Sequence, residues 1–374
     1  LTTGTFQLTD GAELNASTTG TGPGGTITVT ANTFNVDSTG TINTSTTGPG
    51  SGGTITVNAT TLTGSSAGRF VTTTSGPGAA GNVVLNVVDR IFLTGQGTGI
   101  FANATETSTG PGGSILIDPR LVELRDGATI SVGSLGTGLG GSISLQAGSL
   151  LLDNASLSAV SNSADGGNIT LSVNDLILLR NGSNVSATAG VAQSNGNGGN
   201  VTIATRFLVA PPFEDSNISA NAFTGRGGNI RISAQALFGI GFQPRPTRLS
   251  DITASSEFGV NGIVLITTPG IDPSKGLEAL TAEAVDASNL ISQECAVGSN
   301  VSRFILTGRG GLPPNPTEAI SGDSVLDDTR LPDRPTSQRL TSPTAVVPAQ
   351  GWILKENGDV TLTAQLIPTQ CNVR

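Results

Sequence analysis

The sequence predicts an all-β fold, a parallel β-helix whose rungs each contain three short strands and about 30 residues. A paired-glycine element followed by alternating aliphatic residues, such as GGTITV ending at Val29 and at Val57, occurs in eight copies, one without its first glycine. A ninth, degenerate copy, VNGIVLI, ends at Ile266. The chain has 52 Gly and only 12% charged residues, and its regularly spaced aliphatic positions argue against disorder.

The spacing of these copies sets the period of the repeat. Neighbouring copies lie 26 to 33 residues apart when their second glycines are aligned, with Asn261 in that place in the ninth copy. A propeller blade would need about 40 residues and four strands, so the spacing favours a β-helix. About nine rungs would form a rod on the order of 45 Å long. The first strand of each rung is expected to stack its aliphatic residue in one column: Ile27, Ile55, Val83, Ile115, Ile143, Ile169, Val201 and Ile230.

The rest of each unit predicts a second strand, an Asp/Asn-Gly corner and a third strand. In LVELRDGATISV the inward residues are Val122, Leu124 and Ile130, around the corner at 126–127. In LLLDNASLSAV the same reasoning assigns Leu151 to the interior. The corner residues of three successive units are expected to form a polar ladder: Asp126, Asp153 and Asn181.

The charge balance excludes several partners. The net charge is -9, the pI is near 4.5, and the only lysines are Lys275 and Lys355. Nucleic acids and anionic membranes need clustered positive charge, so neither is expected as a partner. No apolar run reaches the length of a transmembrane helix, and no signal peptide is visible. Because the chain opens on LTTGTFQLTD without a methionine, we expect a processed or truncated piece of a longer protein.

The sequence contains no recognisable set of catalytic or metal-binding residues. It has no histidine, no calcium-binding nonapeptide, and no Gly-Lys-Ser/Thr after its glycine-rich loops. We therefore predict no catalytic residues, no cofactor site and no metal site. The two cysteines, Cys295 and Cys371, are predicted to form a disulfide, with two buried free thiols as the alternative.

The repeat ends near residue 269, which predicts a β-helix over 1–269 and a small irregular β module over 270–374. The second segment is rich in proline over 312–349. Two apolar-alternating runs then flank Asn357-Gly358 in GWILKENGDVTLTA, which predicts a β-hairpin.

Several segments resemble a known family. VDASNLISQEC, RFILTGRGGLPPNP and AQGWILKENGDVTLTA resemble the C-terminal region of large cyanobacterial exoproteins, and the TGPGG-type rungs resemble their middle region. These proteins are similar to filamentous-haemagglutinin adhesins and are exported by two-partner secretion. The resemblance implies a right-handed β-helix that passes through an outer-membrane transporter and is displayed at, or shed from, the cell surface. The N-terminal secretion domain of that family has no counterpart in these residues.

Two functions from different classes follow as expectations. The first is a secreted structural or adhesive rod, acting as an adhesin or as the subunit of a fibre formed by head-to-tail stacking. Its expected partners are the secretion transporter, further copies of itself and surface glycans. The alternative is an extracellular polysaccharide lyase or hydrolase, which needs several acidic side chains converging in one groove.

Overall fold

The computed structural model describes residues 1–191, 193–269, 351–354 and 360–363. These residues form 23 strands and one short 3-10 helix. In chain order the strands are β1 Thr2–Leu8, β2 Glu13–Asn15, β3 Thr26–Val36, β4 Thr41–Asn43, β5 Thr54–Gly64, β6 Arg69–Val71, β7 Asn82–Thr94, β8 Gly99–Phe101, β9 Ser114–Ile117, β10 Leu121–Arg125, β11 Thr129–Ser131, β12 Ser142–Asp153, β13 Ser156–Ser158, β14 Asn168–Arg180, β15 Asn184–Ser186, β16 Asn200–Val209, β17 Asn217–Ser219, β18 Asn229–Phe238, β19 Gly241–Phe242, β20 Asp251–Thr253, β21 Ile263–Thr267, β22 Gly351–Leu354 and β23 Val360–Thr363, and the 3-10 helix is Pro212–Glu214.

The strands β1 to β21 form a parallel β-solenoid of about eight turns with roughly 28 residues per turn. The long strands stack in one sheet in the order β1-β3-β5-β7-β10-β12-β14-β16-β18-β21, and β9 pairs with β7 and β12. The short strands stack in a second sheet in the order β19-β20-β17-β15-β13-β11-β8-β6-β4-β2. The predicted all-β parallel architecture is therefore confirmed.

The first two predicted strands of a unit form one long, bent strand. In β5, Ile55, Val57 and Ala59 point into the core, the next two residues do not, and the inward alternation resumes at Leu62. Two consecutive outward residues turn the chain from one face of the solenoid to the next without ending the hydrogen-bonded ladder. Only β9 and β10 remain separate. Pro119 lies between them, and proline cannot donate a backbone hydrogen bond to the ladder.

The predicted aliphatic column is confirmed. Parallel register links each member to the next, from Ile27↔Ile55 to Val201↔Ile230. All members except Ile27 are at most 1% exposed. The assignment of Asn261 is wrong, because Val264 continues the column from Ile230 and Gly262 takes the glycine position. The last step is therefore 34 residues (262 − 228).

The strand assignment around Leu151 is also wrong. Leu150 and Leu152 are fully buried, and Leu151 lies between them on the outer surface. The corner that follows is one residue later than expected. Asn154, with φ 50°, aligns with Asp126 and Asn181, whose φ values are 55° and 51°. Asn tolerates this left-handed conformation, whereas Asp153 remains in the strand, between Arg125 and Arg180 in register.

In each paired-glycine element, the second glycine forms a backbone hydrogen bond that closes the turn to which it belongs. Its N–H donates to a carbonyl 8 to 12 residues earlier, at 2.6 to 2.8 Å, as in Gly141 N–H to Val132 O. A methyl group on Gly141 would meet the backbone of Gly113 in the turn below at less than 3.0 Å, and the equivalent glycines from Gly53 to Gly262 behave in the same way. Close turn packing therefore accounts for these glycines, without a ligand.

The two ends of the solenoid differ. The hydrophobic residues that pack on the core but stay half-buried lie at one end or the other: Phe6, Leu14 and Ile27, and Leu237, Val264 and Ile266. At the C-terminal end, β19 pairs with the outer edge of β20, and Gln243 N–H donates to Ile252 O at 3.0 Å. The loop that follows contains Pro244 and Pro246, and such short, proline-flanked edges discourage further pairing.

The described strands fall into two units of the chain, 1–282 and 283–374. In the second unit, β22 and β23 pair antiparallel, with Leu354 opposite Val360, which agrees with the predicted hairpin. Cys295, Cys371, Lys275 and Lys355 lie outside the described residues, as does the proline-rich segment. The disulfide and the domain boundary at 269/270 stay predictions.

Candidate interaction surfaces

The outer face of the first half of the long strands is a polar ladder. Its side chains are mainly Thr, Ser and Asn, which bond from one turn to the next. Asn200 Nδ2 donates to Asn168 Oδ1 at 2.8 Å, and Asn229 Nδ2 donates to Asn200 Oδ1 at 3.0 Å. Asn86 and Asn58 are joined in the same way at 2.8 Å. These bonds fix the outer side chains in the register that the core dictates.

The outer face of the second half of the long strands changes character along the rod. One outward column begins with Gln7, Asn35 and Thr63, and a second begins with Thr5, Thr33 and Thr61. In later turns the same two columns are largely apolar. We call the following residues the outer apolar face: Phe92, Leu121, Leu151, Leu176, Leu178, Phe207, Val209 and Phe238.

The outer apolar face spans five turn spacings from Phe92 to Phe238, about 24 Å along the axis. Arg90, Glu123 and Ser149 interrupt its two columns. Phe238 is 53% exposed. Monomeric proteins commonly expose apolar patches of about 300–600 Å², so this face by itself does not indicate a partner.

One carboxylate lies within this apolar surface. Glu123 is only 6% exposed, although it points outward, because Arg90 and Arg125 both form ion pairs with it. The Arg90 guanidinium also lies 4.7 Å from the centroid of the Phe92 ring. Opposite charges on both sides offset the cost of burying the Glu123 carboxylate, so the cluster has a structural explanation.

A second ion pair anchors the loop that contains the 3-10 helix. Arg180 donates from Nε to Glu214 Oε2 and from Nη2 to Glu214 Oε1, both at 2.7 Å, and Asn181 N–H donates to Oε2 at 3.0 Å. The hydrogen bonds from Arg180, and then that from Asn181, lower the pKa of Glu214. The hydrogen bond to Glu214 raises the pKa of Arg180.

The predicted corner acids are held by neutral partners. Asn181 Nδ2 donates to Asp153 Oδ1 at 2.6 Å, and Thr94 Oγ1 donates to Asp126 Oδ2 at 2.9 Å. In the part of the chain that the structure describes, no group of three His, Cys, Asp or Glu side chains is placed to hold a metal ion. None of the helical structure in the same residues has the length and apolar character needed to cross a bilayer.

The architecture defines the class of this chain as a parallel β-solenoid repeat protein. Comparison with family models, with curated proteins and with solved structures gives no match. The resemblance to two-partner-secretion exoproteins therefore rests on the sequence segments quoted above.

Proposed function

We propose that the chain is a secreted cell-surface protein, a β-solenoid rod that mediates adhesion or forms an extracellular fibre. The observation that carries this proposal is the regular outer surface of the solenoid, where Thr, Ser and Asn side chains form hydrogen bonds from one turn to the next along the rod. Such a surface is rigid, low in charge and repetitive, which suits a protein that works through length and surface. Export through an outer-membrane transporter belongs to the same proposal and rests on the family resemblance.

Fibre formation would use the half-buried ends of the solenoid. Phe6 and Ile27 at one end have the same places in the turn as Leu237 and Val264 at the other, so stacked copies would continue these two columns. The two-residue strand β19 covers the edge of the short-strand sheet. Contact between copies would therefore involve the long-strand sheet, and its heterologous geometry propagates as a filament.

Negative-stain imaging of the full chain over a range of concentrations tests the proposal. Rods of one subunit length that adhere to cells or glycan-coated surfaces support adhesion, and rods that lengthen with concentration support the fibre. Compact particles without adhesion at any concentration would contradict both.

The alternative, a polysaccharide lyase or hydrolase, has a separate test. Incubation with extracellular polysaccharides would release new chain ends, and substitution of Asp126 or Asp153 would abolish the release. Asp126 and Asp153 each accept one hydrogen bond, from Thr94 and from Asn181, and only Asp126 lies at the corner, since Asp153 belongs to the strand before it.

A further inference from the structure

A break in the polar pattern marks one place on the outer surface of the short-strand sheet. Two outward columns run from β2 to β17, and apart from Glu13 their members are Thr, Ser or Asn in all turns but two. In β6 and β8 the columns instead contain Arg69 and Gly99, and Val71 and Phe101. Close packing against Thr129 in the next turn explains Gly99, but nothing in the other turns of the repeat requires Arg69, Val71 and Phe101 at these positions.

The exceptions form a depression of about 420 Å³ lined by Arg69, Val71, Phe101 and their neighbours Thr73, Asn103 and Thr129. A methyl group on Gly99 would first meet the backbone carbonyl of Thr129 in the next turn, at less than 3.0 Å from its oxygen, and then Phe101 Cζ at 3.1 Å, so Gly99 lets the two strands pack closely beside the ring. Glycine inside a strand weakens it and often marks a place where another group must approach closely. The half-buried Phe101 ring therefore lies against the sheet and forms one wall of the depression.

The guanidinium of Arg69 is fixed beside this ring. Its Cζ lies 5.9 Å from the ring centroid of Phe101, and its Nε donates to Gly97 O at 2.9 Å. Within the described residues, Arg69 forms no ion pair, in contrast to Arg90, Arg125 and Arg180. Arg69 thus lines the depression, and no carboxylate of a described residue neutralises its guanidinium.

The polar neighbours add neutral donors and acceptors. Asn103 Oδ1 accepts from Ser131 Oγ at 2.8 Å, which orients the amide and leaves its NH2 without a hydrogen bond to any described residue. Thr73 and Thr129 contribute hydroxyl groups at the margin. An apolar platform with a few oriented polar groups is the usual composition of a small-molecule site.

We propose that this depression binds a uronic-acid residue of an acidic polysaccharide. The C–H face of a pyranose ring would pack on Phe101, the carboxylate would accept hydrogen bonds from the Arg69 guanidinium, and ring hydroxyls would bond to Asn103 and Thr129. Arg69 is the one charged side chain among the described residues that line the depression, so the site favours an anionic sugar over a neutral one. This inference rests on the proposed surface role and names the ligand class of that role.

Calorimetric titration of the full chain with hexagalacturonic acid, and with its fully methyl-esterified form, tests the proposal. We expect the acid to bind more tightly than the ester. Arg69→Gln should weaken binding of the acid at least about tenfold, the effect of losing one hydrogen bond to a charged group. Phe101→Ala should weaken it by a similar factor, because it removes the apolar surface on which the sugar ring packs. Arg69→Gln should also remove the preference for the acid over the ester.

Matched controls are available on the same rod. Phe213 is 88% exposed, and Arg206 pairs with Asp175 on another face, so Phe213→Ala and Arg206→Gln should bind the acid as the unchanged chain does. Because both test side chains point outward, far-UV circular dichroism should stay unchanged in the variants. Absence of binding to the acid, equal affinity for the ester, or unchanged affinity in both variants would overturn the proposal. Rod imaging does not depend on these residues, so such a result would leave the proposed function standing.

Discussion

Glycines at equivalent positions of successive turns stack on one another. For two of them, we expect the same substitution by alanine to have opposite effects on the free energy of unfolding. Gly22 and Gly78 each lie three residues before the closing glycine of their turn, two turns apart in one stacked column, and neither has a left-handed φ. A methyl group on Gly22 would meet nothing within 4 Å. A methyl group on Gly78 would lie 2.6 Å from the carbonyl carbon of Gly50 and closer still to its oxygen.

The size of the effect at Gly78 follows from this geometry. Ordinary contacts begin at 3.4 Å, so the two turns would have to separate by roughly 1 Å. That separation would break the hydrogen bond from Gly52 N–H to Ala79 O, which is 2.8 Å long and joins the same turns. Overpacking of about 1–3 kcal/mol and one lost hydrogen bond of about 0.5–1.5 kcal/mol together give a loss of about 1.5–4.5 kcal/mol for Gly78→Ala.

Gly22→Ala should have the opposite sign. Alanine restricts the unfolded chain and meets no steric conflict in the folded one, so it should leave the free energy of unfolding unchanged or raise it by up to about 1 kcal/mol. Urea-induced unfolding followed by far-UV circular dichroism measures both variants, and hydrogen exchange at the Gly52 amide reports the local opening. Equal destabilisation by the two substitutions, or a Gly78→Ala variant as stable as the unchanged chain, would refute the argument from turn packing.

Three further predictions concern the core, an ion pair and a surface ladder. Ile143→Ala, at a residue 1% exposed, should lower the free energy of unfolding by about 2–5 kcal/mol in urea titrations, whereas its outward neighbour Ser144→Ala should change it by less than about 0.5 kcal/mol. Glu214→Gln should lower the melting temperature at neutral pH. Because the hydrogen bonds from Arg180 lower the pKa of Glu214, the difference in melting temperature from the unchanged chain should shrink as the pH falls from the ordinary value of 4.5 through that lowered pKa. A difference that does not depend on pH would contradict this. Asn200→Ala should remove two ladder bonds and cost about 1 kcal/mol by the same urea assay, with a stabilised variant as the contrary result.

The interior of the solenoid was predictable because two periodicities act together. Alternation along a strand and repetition between turns place Ile55 and Ile143 in one column, and no other register buries all the aliphatic residues. The predicted register was wrong only where these signals are weak. Leu151 lies in a run of three leucines, where alternation cannot distinguish inside from outside. Beside Asn261, the ninth copy has lost its paired glycine.

The outer surface was less predictable, for a physical reason. Solvent-facing positions are under no packing constraint, so their residues carry no period that would indicate a face or a partner. The outer apolar face became visible only when the register aligned Leu178 with Leu151. Gly99 and Phe101 are exceptions among Thr, Ser and Asn at the outward positions of the short strands. They can be identified as exceptions only once the register of β8 against β11 is known.

Because each turn is closed by its own glycine, a whole turn can be removed without disturbing the closure of the others. Residues 54–81 run from the first residue of one long strand to the closing glycine before the next, and removal of this block would join Gly53 to Asn82 just as Gly81 is joined now. The columns would continue from Ile27 to Val83 with similar side chains in contact. Such a deletion shortens the rod by one strand spacing, ~4.8 Å, and brings whatever is attached at the two ends closer by that amount. Loss or gain of whole turns would thus change the length of the rod in uniform steps, while the remaining surfaces keep their chemistry.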